Sequence, residues 1–258
     1  MEPSFSAQNG TLFRDASGRY CASLDGCRFL SVFQPIFYKG GSLFGYEALL
    51  RVVDEGGEWQ APDRFLASLS PERAQLADTL ARLIHVRNFA QSRLETCLTL
   101  NLLAATVQED HRGLTHLPLL KNLLQSVELD CGGVIFEVPA REVEHHGQAL
   151  LDGLRHAAEM GFGTAVDDFG AAEAPYGKVT ELSPDIIKLH PSLLHEYMAG
   201  ETKKLPALLE SGWQIGSRML VEGVETAEQL EAMRALGVEL YQGYYLGRPG
   251  ELAVACQL

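Results

Sequence analysis

At 258 residues and 46% hydrophobic composition, the chain can form one large barrel or two small domains with an ample core, and one domain is the simpler reading. A formal charge of −13 excludes a broad basic surface for DNA or RNA duplex, because backbone binding draws on clustered Lys and Arg. An anionic ligand must be met locally, by metal or by a few basic side chains.

Taken in chain order, residues 1 to 28 hold two short β-rich runs around Ala16-Ser17-Gly18, which predicts a hairpin forming an N-terminal appendage. The barrel domain is then expected over 29–258. Cys21, Cys27, Cys97, Cys131 and Cys256 are odd in number and scattered, unlike a secreted disulfide framework, and read as reduced thiols in a cytoplasm. Cys21 and Cys27 invite a metal or redox reading, but no CxxC or His partner completes it, and a structural role is preferred. The sequence has no charged-then-apolar leader, and no apolar run nears the ~20 residues that span a bilayer, so neither targeting nor anchoring is expected.

Eight β-rich runs follow: Phe29–Phe37, Gly45–Val52, Cys97–Leu102, Val134–Val138, Gly163–Phe169, Ile186–Leu189, Arg218–Val224 and Leu240–Leu246. Only Tyr38-Lys39-Gly40-Gly41-Ser42 and its neighbours separate the first two, too few for a crossover helix, so that pair is an antiparallel hairpin. Asp63 to Ala90 reads as helix broken near Ser70-Pro71, and Glu142 to Met160 as an amphipathic helix stopping at Gly161. Ser192 to Glu210 is helical with a division expected at Pro206. Thr226-Ala227-Glu228-Gln229 is a capping box that starts a helix running to about Gly237. This alternation predicts an α/β fold, a modified (β/α)8 TIM-like barrel with an antiparallel first strand.

Barrel chemistry sits at the C-terminal ends of strands. There the runs carry Glu47 and Arg51, Asn101, Glu137, Asp167 and Asp168, Lys188, Glu222 and Gln242, where bare core strands would carry Val, Ile or Leu. Glu47, Asn101, Glu137 and Asp167 form a hard, oxygen-rich ligand set suited to Mg²⁺ or Mn²⁺, and Asp168 could bridge a second ion. Two such ions would activate water and stabilise a leaving oxygen in phosphoryl displacement. Lys188 and Glu222 are candidates for positioning or activating that water, and Arg51 for clamping a phosphate. Singly, each residue has another reading: a strand-edge ion pair for Glu47 or Glu137, a turn cap for Asn101, a counterion for Lys188. Their convergence at one end of successive strands favours function.

Tyr46-Glu47-Ala48-Leu49-Leu50-Arg51, with Phe33-Gln34-Pro35-Ile36, Leu100-Asn101-Leu102, Phe136-Glu137-Val138, Asp167-Asp168-Phe169-Gly170, Ile187-Lys188-Leu189, Glu222-Gly223-Val224-Glu225-Thr226 and Gln242-Gly243-Tyr244, resembles the EAL domain family in order and spacing. The resemblance implies cytoplasmic, metal-dependent hydrolysis of the bacterial messenger cyclic di-GMP to linear pGpG, with one or two Mg²⁺ or Mn²⁺ ions. It implies metal ligation by Glu47, Asn101, Glu137, Asp167 and Asp168, and catalytic roles for Glu222, Lys188 and Asp168. Ligand contacts fall to Leu49, Arg51, Gln34, Gln242 and Glu225. A homodimer and a separate regulatory protein are the partners expected alongside the nucleotide.

The likeness departs at Ala171-Ala172-Glu173-Ala174-Pro175-Tyr176, where the family usually reads Thr-Gly-Tyr-Ser-Ser-Leu, at Ala140 in place of a loop-anchoring carboxylate, and at His190 in place of Asp. His190 reads as a stray metal ligand or, preferably, a loop-packing side chain. Altered support of this kind implies the alternative of a weakly active or inactive EAL-like protein, acting as a cyclic di-GMP receptor or a protein-binding regulator.

Overall fold

A computed structural model describes residues 10–104, 116–171 and 176–253. Its strands are β1 (Thr11–Arg14), β2 (Tyr20–Leu24), β3 (Cys27–Tyr38), β4 (Leu43–Val53), β5 (Trp59–Gln60), β6 (Cys97–Asn101), β7 (Val134–Pro139), β8 (Gly163–Phe169), β9 (Ile186–Leu189), β10 (Arg218–Val221) and β11 (Leu240–Tyr241). They form one sheet, β1-β2-β3-β11-β10-β9-β8-β7-β6-β4-β5, which the β3–β4 pairing closes into a barrel of eight strands. Within the ring β3 runs antiparallel to both β4 and β11, and every other neighbouring pair is parallel. This is the modified (β/α)8 barrel with its antiparallel first strand.

β3 and β4 overrun the ring, and their extended ends pair with β2 and β5. This ribbon, with the β1–β2 hairpin, packs a satellite core of Ala22, Leu24, Phe29 and Val52 against Ala77, Leu80 and Ile84 of the helix behind it. That helix, α2 (Pro71–Ser92), follows α1 (Pro62–Ser68), and the break at Ser70-Pro71 has its expected cause. Pro71 is tolerated in a first turn, where its missing N–H has no partner to lose, and Ser70 accepts from Arg73 N as the N-cap.

Among the described residues the further α-helices with given bounds are α3 (His116–Ser126), α4 (Ala140–Glu159), α5 (Gly177–Leu182), α6 (Pro191–Met198), α7 (Lys204–Gln214) and α8 (Ala227–Ala235). The stretch expected to divide at Pro206 divides earlier, between Met198 and Lys204. Pro206 lies in the first turn of α7, where a missing N–H breaks nothing. The capping box at Thr226 forms, with Gln229 N donating to Thr226 Oγ1 and the Gln229 side chain accepting from Thr226 N. Two strands are shorter than expected: β10 stops at Val221 and β11 at Tyr241, so Glu222 and Gln242 stand just beyond the ladder. No helix among the described residues is long and apolar enough to cross a membrane. Cys21, Cys27, Cys97 and Cys131 are free thiols, and Cys256 lies outside the described residues.

Side chains alternate between the two faces of a strand, so the barrel interior is built in layers. Ile36, Phe44, Ile135, Ala165, Ile186, Leu220 and Leu240 form an apolar plug. Two residues further along five of these strands, on the same face, come Glu137, Asp167, Lys188, Glu222 and Gln242.

Candidate active site

That second layer converges on one ammonium group. Lys188 Nζ lies 3.0 Å from Glu137 Oε2, 3.0 Å from Glu222 Oε1, 3.4 Å from Glu47 Oε2 and 3.5 Å from Asp167 Oδ1. Lys188 and Glu137 are fully buried, Glu47 is nearly so, and Asp167 and Glu222 open toward solvent. Amides complete the ring: Gln242 Nε2 donates to Glu47 Oε2 at 2.7 Å and Asn101 Nδ2 to Glu47 Oε1 at 3.3 Å.

Three local devices set this geometry. A bulge shifts the β8–β9 register between Val166 and Phe169, and Asp168 takes a left-handed φ of 55°. Adjacent Asp residues in a regular strand would point to opposite faces, and the bulge relaxes that alternation. Asp167 Oδ1 then accepts from the Asp168 N–H at 2.8 Å. At Gly243 a Cβ would stand 2.1 Å from the Val224 carbonyl oxygen, so only glycine lets the backbones beyond β10 and β11 meet. Val224 N donates to Gln242 O there, and Gln242 N to Val221 O, which fixes Glu222 beside Gln242.

The electrostatics follow from burial. Burial pushes the Glu137 carboxyl up to about 8, against the opposing pull of Lys188 and with Glu47 and Asp167 adding to the rise. Glu222 is raised for the same first reason, its burial outweighing Lys188, and Asp168 is raised by burial and by Asp167 beside it. For Lys188 burial opposes the charge, but Asp167, Glu137, Glu222 and Glu47 overcome it and hold the ammonium well above its ordinary range.

The residues present fit a divalent metal. Glu137 Oε1 and Gln242 Oε1 are buried oxygens with no hydrogen-bond partner among the described residues. Four carboxylates face a single ammonium, an excess of negative charge that a hard cation would neutralise. Among the described residues no three of these groups already form a cage, because Lys188 occupies the point on which they converge.

Of the residues expected to contact ligand, Gln34 lies directly across the β3–β4 ladder from Glu47, and its Nε2 donates to Gly247 O at 3.2 Å. Leu49 and Arg51 follow Glu47 on the same strand face, half-buried, with Arg51 donating to Leu50 O at 2.9 Å. Glu225 is exposed in the turn before α8, where its N–H donates to Gln229 Oε1 at 2.7 Å. None of these four has an ion pair with the cluster. His190 is the N-cap of α6, accepting from Ser192 N at 3.2 Å, which is a packing role. Residues 172–175 of the departing loop lie outside the described residues.

Thr99 escapes a reading based on charge. It is buried on β6 opposite Glu47 and tempers the Glu137 carboxyl without a well-aligned hydrogen bond. Its polar side chain two residues before Asn101, on the same face, is the signal that could have found it.

A family model described as the EAL domain matches residues 19–249. The cyclic di-GMP phosphodiesterase PdeB of Shewanella oneidensis is 26% identical over 252 residues, covering 93% of this chain and 28% of that protein. The oxygen sensor protein DosP of Escherichia coli is 27% identical over 227 residues, covering 84% of this chain and 28% of that protein. The chain therefore spans less than a third of the length of these two relatives. The MucR phosphodiesterase of Pseudomonas aeruginosa, solved as a cyclic di-GMP complex, matches with a TM-score of 0.72 at 25% identity over 86% of this chain and 92% of that one.

Proposed function

Since the chain belongs to the EAL domain family, we propose that it is a metal-dependent phosphodiesterase that opens cyclic di-GMP to linear pGpG at the strand-end cluster. The observation that carries this reading is the convergence of Glu47, Glu137, Asp167 and Glu222 on Lys188, with Asn101 and Gln242 bonded to Glu47. In this reading the barrel, 29–258, carries the chemistry and residues 1–28 are an appendage to it.

Glu47, Asn101, Glu137 and Asp167 would hold a Mg²⁺ or Mn²⁺ ion, with Asp168 beside a second. Such ions, when bound, supply Lewis acidity at a phosphoryl oxygen and make water a stronger nucleophile at neutral pH. The chain's own side chains do the rest. Glu222, whose burial raises its carboxyl above the ordinary carboxylate range and so makes its carboxylate a stronger base, takes the proton of the attacking water, and Lys188, 3.0 Å from Glu222, orients that water and balances the charge that develops. Water adds across one P–O bond, leaving a phosphomonoester on one guanosine and a hydroxyl on the other. Arg51 meets a phosphate of the ligand, and Leu49, Gln34, Gln242 and Glu225 line its bed.

The protein works in the cytoplasm, as a homodimer under the control of a separate regulatory protein; sedimentation of the pure chain and pulldown from its host test those two statements. Catalysis is tested by incubating pure protein with cyclic di-GMP and Mg²⁺ or Mn²⁺. Release of pGpG is expected, and Glu222→Ala should lower the rate by about 10²- to 10⁴-fold, the usual worth of a general base. Absence of turnover with either metal across pH and protein concentration sinks the reading.

A further inference from the structure

β6 enters the strand-end layer by the same rule as its neighbours. Cys97, which opens the strand, packs against the apolar plug, and Thr99 follows two residues later, the spacing that sets Glu137 above Ile135 and Lys188 above Ile186. Thr99 is 1% exposed, and its Oγ1 has no hydrogen-bond partner among the described residues. The packing does not call for a hydroxyl. Ile135 lies directly across on β7, and valine, of nearly the same shape, would leave no polar atom stranded.

The neighbouring oxygens single out a partner for it. Glu47, directly across on β4, has both carboxylate oxygens taken, Oε1 by Asn101 Nδ2 at 3.3 Å and Oε2 by Gln242 Nε2 at 2.7 Å. Gln242 Oε1 lacks a donor among the described residues, but Gln242 stands just beyond β11, which β3 and β4 separate from β6 around the ring. Glu137 lies on the adjacent strand, two residues past Ile135 and on the same face. Its Oε2 accepts from Lys188 Nζ at 3.0 Å, while its Oε1 has no donor among the described residues. A buried donor without an acceptor and a buried acceptor without a donor thus stand on neighbouring strands. The Thr99 hydroxyl is near enough to pull the Glu137 carboxyl down against the burial that raises it, and a hydroxyl hydrogen rotates to suit its acceptor.

We infer that Thr99 is a positioning residue for metal binding, its hydroxyl donating to Glu137 Oε1 and fixing the carboxylate plane from the side opposite Lys188. The inference rests on the metal-dependent reading above. A carboxylate ligand must be ionised, and each of its oxygens then has two lone-pair sites, so Oε1 can accept from Thr99 with one and face the ion with the other. Glu137 is itself 1% exposed, out of reach of bulk water, so the fold has to supply this contact.

Titration of the whole chain with Mn²⁺ in the absence of nucleotide, read by electron paramagnetic resonance, tests it. Thr99→Val should weaken Mn²⁺ binding about 10- to 100-fold, the range for lost support to a metal ligand, and Thr99→Ser, which keeps the hydroxyl, should bind as wild type does. Because Thr99 acts through Glu137, Thr99→Val should cause no further loss in a Glu137→Ala background. Thr99→Ala serves the same comparison if the valine variant does not fold. Unchanged Mn²⁺ affinity in Thr99→Val, with or without a lower melting temperature, overturns the inference, as does a loss in Thr99→Ser equal to that in Thr99→Val or one that adds in full to that of Glu137→Ala. Binding is read without turnover, so the two readings fail separately: Mn²⁺ affinity that depends on the Thr99 hydroxyl without release of pGpG upholds this inference and sinks the catalytic one, and a wild type that binds no Mn²⁺ sinks both.

Discussion

Lys188 works as an internal counterion before it works as anything else. Removing one partner of a buried ionic cluster leaves charge uncompensated and costs about 3–5 kcal/mol. Lys188→Met should therefore lower stability to urea by roughly that amount, and added Mg²⁺ should recover part of it by taking over the neutralising role; equal unfolding midpoints with and without Mg²⁺ would count against a metal at these carboxylates. Glu137 gives a pH signature. In the unfolded chain its proton leaves in the ordinary carboxylate range, while the folded chain holds it to about 8. Between those values the folded state binds the extra proton, so stability falls as pH rises. Metal-free protein should lose stability between about pH 5 and 8, and Glu137→Gln should flatten that slope.

Glu144 and α5 form the link by which an element supports the site. Glu144 Oε1 accepts from Lys178 N at 2.9 Å and Val179 N at 3.3 Å, and Lys178 Nζ donates to Glu144 O. At the near end Phe169 and Tyr176 stack with centroids 4.0 Å apart, so the chain leaving Asp168 is held where it departs and where it becomes helix again. Glu144→Ala should raise the Mg²⁺ concentration needed for half-maximal activity by about tenfold, the scale of lost support to a metal ligand, while Glu144→Gln, which can still accept both N–H groups, should not. A fall in melting temperature with unchanged metal dependence would reduce Glu144 to a structural role.

At this scale the sequence was legible where periodicity and caps spoke together: the Ser70-Pro71 break, the Thr226 box and the β3–β4 hairpin. It was least legible at boundaries. Nothing local marks Val221 or Tyr241 as strand ends, since Glu222 and Gln242 leave the ladder through tertiary bonds around Gly243. The helix over Ala140–Glu159 also carries a non-helical residue, Gly147 with φ 64°, which an amphipathic pattern does not reveal.

For the molecule as a whole, the strand-end layer was readable because polar side chains at period two from an apolar plug must point into the barrel, where burial is costly unless they are paired or hold a ligand. The convergence on Lys188 was not, because which carboxylates reach one ammonium depends on barrel tilt and on the β8 bulge. The satellite lobe shows the same limit. Asn88 Oδ1 accepts from Tyr20 N, and its Nδ2 donates to Tyr20 O and to Ser31 Oγ, so one side-chain amide on α2 continues the ladder where β3 stops pairing with β2. Asn88→Ala should cost about 1–3 kcal/mol by leaving those backbone groups unpaired, and hydrogen exchange at Tyr20 should accelerate first.

Closure of the ring also decides how copies of this protein meet in concentrated solution. Eight of the strands have both flanks occupied inside the barrel, and among the described residues the margins of the sheet fall at β1 and β5. These run four and two residues, and β1 ends on the charged Arg14. Margins so short offer too few free N–H and C=O groups to template a strand from another molecule, so the fold resists growth into fibres even though Trp59 stands exposed on one of them.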